Sequence, residues 1–115
     1  MKYVIVYIAM KLKKDKKLHI RRLEKIEIIN AFKVMGNEYR LNMLLALKKF
    51  PHISLDQVNK HVGGDIKNIS MHMQKIHNAG LVFKKYEGRF VKHSLTEYGK
   101  RAIQSFQLFE RDLDL

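Results

Sequence analysis

Between Ile66 and Thr96 the chain reads IKNISMHMQKIHNAGLVFKKYEGRFVKHSLT, and this stretch narrows the fold more than any other. A helix-length segment with an apolar stripe runs straight into Ala79-Gly80-Leu81. Two β-prone runs then flank Glu87-Gly88, and Leu95-Thr96 opens another helical segment. The hydrophobic period thus changes from that of a helix to that of a hairpin and back within a short distance.

The flanking segments supply the rest of a small helical unit. A first helix is expected from about Leu18 to Val34, with Leu23, Ile26, Ile29, Phe32 and Met35 at three-residue steps and Ile20 and Ile28 widening the stripe. Gly36-Asn37 ends it. A second helix is expected from about Glu38 to Lys49, carrying Leu41, Leu44, Leu45 and Leu47 and stopping before Pro51, the single proline. Ser54 to Val62 reads as a short third helix, because Ser54 and Gln57 match a capping box and Leu55 and Val58 give an inward face. Gly63-Gly64 must end it, and Asp65 can cap Ile66 to Asn78, whose Ile66, Ile69, Met73 and Ile76 form the inward stripe.

Two helices joined by a glycine turn, followed by a hairpin from Leu81 to Tyr86 and from Arg89 to Leu95, predict a mainly α fold with a small β-hairpin wing. This is a winged helix-turn-helix. Thr96 caps the last helix, where Ala102, Ile103, Phe106, Phe109 and Leu113 make an apolar face. That face is more than one small core requires. Dimerisation through the first and last helices is expected, with Leu23, Ile26, Ile29, Phe32, Ile103, Phe106, Phe109 and Leu113 at the seam; the alternative is that both stripes fold back on one core.

With 115 residues the chain is expected to form one domain, residues 18–115, that buries roughly two thirds of its unfolded surface without cross-links. It has no cysteine, which removes disulfides, thiolate metal sites and cysteine nucleophiles together. The formal charge of +12, from 23 basic and 11 acidic residues, favours a polyanionic partner, nucleic acid first, over the plainer reading of a solvated basic surface.

Residues 1–17 form an apolar and then basic extension, MKYVIVYIAM followed by KLKKDKK. The apolar run is about half, or less, of the roughly 20 residues that a membrane span needs, so no span is expected. Three readings stay open: an added β-strand, a weak interfacial anchor, or a start at Met10.

Three stretches resemble the ArsR-type winged helix-turn-helix regulators, the arsenic-repressor superfamily, and more broadly the MarR-like group. They are Met35-Gly36-Asn37-Glu38-Tyr39-Arg40-Leu41 with its Leu-rich continuation, Ile69-Ser70-Met71-His72-Met73 leading to Ala79-Gly80-Leu81-Val82, and Gly88-Arg89 through Leu95-Thr96-Glu97-Tyr98-Gly99. The resemblance covers about Ile29 to Phe106. The resemblance implies a homodimeric transcriptional regulator that presents two recognition helices to a palindromic operator. Two departures bear on sensing. The third helix has Leu55-Asp56-Gln57-Val58-Asn59 where metal sensors of the family carry a cysteine motif, and no histidine follows Thr96. Metal sensing by either family route is not expected.

If Ile66, Ile69, Met73 and Ile76 point inward, helical geometry puts Lys67, Asn68, Met71, Gln74, Lys75 and Asn78 outward, with Ser70 and His72 on the flanks. Amides suit adenine, Lys suits guanine or phosphate, and Met71 suits a thymine methyl. Ser70 and His72 are backbone contacts by the family comparison. In the wing, Lys84, Lys85 and Lys92 suit phosphates and Arg89 suits a narrow minor groove. Lys60, His61 and the Lys11 to Lys17 run rank lower. His72 and His77, five apart, do not make a helical metal pair, and no catalytic constellation is visible. The leading expectation is therefore a sequence-specific double-stranded DNA-binding repressor acting as a cytoplasmic, nucleoid-associated homodimer without a cofactor. A winged-helix protein-interaction module and a sequence-blind basic DNA-binding protein are the alternatives.

Overall fold

The structure, a computed structural model, describes residues 17–113, with side chains from residue 24 onward. The expectations for residues 1–16 and for the side chain of Leu23 lie outside the described residues. Seven elements follow in order: α1 (Lys17–Met35), α2 (Glu38–Lys49), α3 (Leu55–Val62), α4 (Ile66–Asn78), β1 (Val82–Glu87), β2 (Phe90–Leu95) and α5 (Glu97–Leu113).

Side-chain caps set most helix starts, each contributing about 1 kcal/mol. The Asn37 side chain accepts from the Arg40 amide at 3.0 Å to open α2. Ser54 and Gln57 form both halves of the expected capping box before α3. Asp65 accepts from the Lys67 amide at 3.2 Å to open α4. Thr96 Oγ1 accepts from the Gly99 amide at 2.9 Å and donates to the Gly80 carbonyl at 2.7 Å, so one hydroxyl caps α5 and ties it to the end of α4.

The two strands pair antiparallel from Val82↔Leu95 to Glu87↔Phe90. The two-residue loop is Gly88-Arg89 rather than Glu87-Gly88, one residue later than expected. Gly88 has φ 62 and occupies the first loop position, where a tight hairpin turn requires a positive φ. This shift puts Arg89 at the tip. Ile53, from the loop between α2 and α3, exchanges backbone hydrogen bonds with His93 at 3.2 and 2.7 Å and fastens that loop to the base of the hairpin. His52 beside it has φ 63, an uncommon conformation for a residue with a Cβ. Its ring is held to Glu87 at 2.7 Å and to Ser94 at 3.4 Å.

The core joins α2, α4, the base of the wing and α5. Met43, Leu44, Leu47, Val58, Ile69, Ile76, Leu81, Val82 and Ile103 are fully buried in it, at roughly 1.5–3 kcal/mol each for the large aliphatic side chains. Ile103 was expected at the dimer seam, and this is a correction. It is 0 % exposed, one turn beyond buried Gly99 on the same side of α5, and packs inside its own chain. Ile66 is also corrected. It is the first residue of α4, at the end of the stripe, and is 44 % exposed. No helix among the described residues is long and apolar enough to cross a membrane.

Candidate nucleic-acid interface

α3 and α4, joined through Gly63-Gly64, form the helix-turn-helix. With Ile69, Met73 and Ile76 buried, helix geometry turns Lys67, Asn68, Met71, Gln74, Lys75 and Asn78 to solvent as expected, and Ser70, expected on the flank, is exposed with them. The Gln74 amide donates to Asn78 Oδ1 at 2.9 Å, which orders the side chain before any ligand arrives. This face offers donors and acceptors of both kinds together with two ammonium groups, a set matched to base edges and phosphates.

His72 departs from the rest of the face. It is half-buried against α2, with Nδ1 3.3 Å from Arg40 Nη1 and its ring 5.1 Å from the Tyr39 ring. Burial first, and then the charges of Arg40 and Lys75, lower its pKa below the ordinary histidine value. Both effects favour the neutral ring. Arg40 escaped the sequence reading because its partner lies 32 residues away; its place in the Arg-Leu stretch of the family resemblance was the available signal.

In the wing, Lys84, Lys85 and Arg89 are exposed and Lys92 is half-buried. Lys85 stands directly opposite Lys92, a like-charge cross-strand pair that disfavours the hairpin by some tenths of a kcal/mol and that bound phosphate would relieve. From Ile66 to Leu95 there are six Lys and Arg and one acidic residue, Glu87, and that carboxylate is engaged by His52 at 2.7 Å. One oxygen of the only acid in this stretch is thus occupied by a hydrogen bond from within the chain. Tyr86 and Phe90 are exposed around the tip, and Lys92 Nζ lies 5.8 Å from the centre of the Phe90 ring. These aromatics were missed at the sequence level, although their interleaving with lysines was visible there.

Two other histidines pack against their own chain. His93 is buried, and desolvation, with Lys84 and His77 adding to it, lowers its pKa to about 4. His61, exposed near the end of α3, stacks on Phe50 at 4.0 Å and 9°. Among the described residues, no three His, Asp or Glu side chains are grouped to hold a metal.

A separate apolar surface lies on α1 and α5. Ile26, Ile29 and Phe32 are about half exposed, while Ala31, Val34 and Met35 turn inward. On α5, Phe106 is half-buried against the core, and Phe109 and Leu113 are 66 and 86 % exposed. A groove of about 150 Å³ between the two helices is lined by Ile28, Ala31, Phe32, Met35, Tyr98 and Ala102, among others. Seven of the eight expected seam residues thus remain in play or undescribed, and Ile103 does not.

No protein-family model matches the sequence, and no curated protein matches it. Solved structures do resemble the chain. HlyU from Vibrio cholerae superposes with a TM-score of 0.65 at 22% identity, covering 76% of this chain and 92% of that one. The homodimeric winged helix-turn-helix DNA-binding domain of Mb0332 from Mycobacterium bovis, described as a possible ArsR-family transcriptional regulator, gives 0.69 at 19% identity, covering 82% and 84%. The transcriptional repressor BigR from Xylella fastidiosa gives 0.64 at 20% identity, covering 76% and 89%. At these identities the likeness speaks for the backbone, and the chain has the winged helix-turn-helix fold.

Proposed function

We propose that this chain is a sequence-specific double-stranded DNA-binding transcriptional regulator that acts as a homodimer and represses by occluding a promoter in the cytoplasm. The observation that carries this reading is the exposed amide and ammonium face of α4 followed by a hairpin whose single acid is tied to His52. In this reading Lys67, Asn68, Met71, Gln74 and Lys75 meet base edges, Ser70 and His72 meet the backbone, Lys84, Lys85 and Lys92 meet phosphates, and Arg89 enters the minor groove. Burial of Ile26, Ile29, Phe32, Phe109 and Leu113 between two copies sets the spacing of the two recognition helices. Support comes also from the described roles of the similar structures, a repressor and a homodimeric DNA-binding domain among them.

A gel-shift series with duplex DNA at rising salt tests it. Affinity is expected to fall steeply, since each phosphate neutralised by Lys or Arg releases a counterion. Absence of any shift at low salt refutes the reading.

A further inference from the structure

We propose that Arg40 is a positioning residue that holds His72 with its proton on Nε2, so that His72 meets a DNA phosphate as a neutral hydrogen-bond donor. The inference rests on the DNA-binding reading above for its ligand, and on side-chain chemistry for the rest. A guanidinium has donors and no acceptor, so the His72 Nδ1 that sits 3.3 Å from Arg40 Nη1 accepts. A neutral imidazole whose Nδ1 accepts carries its proton on Nε2. The open edge of the ring is then an N–H donor, and phosphate oxygens only accept.

Arg40 can impose this because it is itself fixed. Its Nε donates to the Val34 carbonyl at 2.7 Å, one of the last carbonyls of α1 and without a partner further along the helix. Tyr39, the neighbouring residue on α2, lies against the His72 ring at 5.1 Å with the planes inclined by 32°, and its hydroxyl is anchored by donating to the Gly63 carbonyl at 2.8 Å. Two anchored α2 side chains therefore bracket one ring on α4. The charged groups acting on that ring are Arg40 from α2 and Lys75 from its own helix, and both disfavour a second proton. Freed from Arg40, the ring would populate the other tautomer, whose bare Nε2 lone pair repels phosphate.

Long-range proton–nitrogen NMR of the full chain reads the tautomer directly, and binding to a short mixed-sequence duplex at low salt reads its consequence. The spectrum is expected to show His72 with Nδ1 bare and Nε2 protonated, and Arg40→Met is expected to give a mixture. His72→Gln, whose amide nitrogen falls near the Nε2 position, should bind nearly as the parent does. His72→Asn, whose amide nitrogen falls near Nδ1, should bind roughly tenfold more weakly, as expected for one lost bond to a charged group. Arg40→Met should also weaken binding, and its loss should not add to that of His72→Asn, which separates positioning from a direct contact. A ring protonated at Nδ1 in the parent chain, or equal affinities for the Gln and Asn variants, overturns the proposal while leaving DNA binding intact. A parent chain that binds no duplex refutes the DNA reading and the phosphate contact with it, and the spectrum still decides the tautomer. The parent spectrum and the His72 variants keep the test decisive even if Arg40→Met does not fold.

Discussion

Gly99→Ala should destabilise the chain, although helix propensity alone predicts the reverse. Gly99 lies in the first turn of α5, where alanine would ordinarily contribute about 1 kcal/mol of helix stability. A Cβ at this position would lie 2.0 Å from the Leu81 carbonyl oxygen and 2.9 Å from its carbon, where ordinary contact begins at 3.4 Å, so α5 must retreat by more than an ångström. The obstruction is backbone and cannot swing aside. Retreat breaks the Thr96 amide bond to the Leu81 carbonyl at 3.0 Å and the Thr96 hydroxyl bond to Gly80 at 2.7 Å, at about 1 kcal/mol each. Overpacking adds about 2 kcal/mol. After the propensity gain the net loss is about 3 kcal/mol, which for a domain of this size lowers Tm by roughly 15 °C. Thermal unfolding followed by circular dichroism measures it, with Gly63→Ala as control: nothing lies within 4 Å of a Cβ there, and only the positive φ is strained. That control should lose about 1 kcal/mol. A Gly99→Ala chain that melts at or above the parent temperature refutes the packing argument.

Three further outcomes are expected. His93 titrates near 6.5 when unfolded and near 4 when folded, so the unfolded chain binds the extra proton between those values; stability is complete above pH 6.5, falls as pH drops toward 4 by about 3 kcal/mol, and is then level. Urea unfolding across that range should show the slope and His93→Leu should flatten most of it, with the lowered His77 adding in the same direction. Phe32→Glu places a charge on the half-exposed α1 surface, so, on the proposed homodimer, sedimentation should report a dimer for the parent and a folded monomer for the variant. Lys67→Ala or Asn68→Ala should relax sequence choice, whereas Lys84→Ala should weaken all duplexes alike and reduce the salt slope by about 1.

The parts legible in the sequence were those fixed by neighbours along the chain. Ser54 with Gln57, Asp65 with Lys67, and Gly88 at a turn act over three residues or fewer, so residue type alone reveals them. The Leu-Thr-x-x-Gly stretch was also legible as a pattern, and the structure supplies its cause in the contact between Gly99 and the Leu81 carbonyl. Periodicity was less reliable at element ends. It assigned Ile66 inward because the stripe continues through it, yet as the first residue of α4 it stays 44 % exposed. It assigned Ile103 outward with Phe109 and Leu113, since one apolar face serves the core near the start of α5 and solvent near its end. The pairs that shape the site, Arg40 with His72 and His52 with Glu87, lie 32 and 35 residues apart and exist only once the helices and hairpin are packed.

Selection of bound duplexes from a fully randomised pool tests the central claim most directly, that the α4 face and wing of two copies read DNA together. Enrichment of an inverted repeat is expected, with half-sites spaced by about one helical turn, roughly 10 base pairs, or a multiple of it, and with half-site preference lost in Asn68→Ala. A parent chain that enriches no sequence, or an Asn68→Ala chain that enriches the same one as strongly, contradicts it.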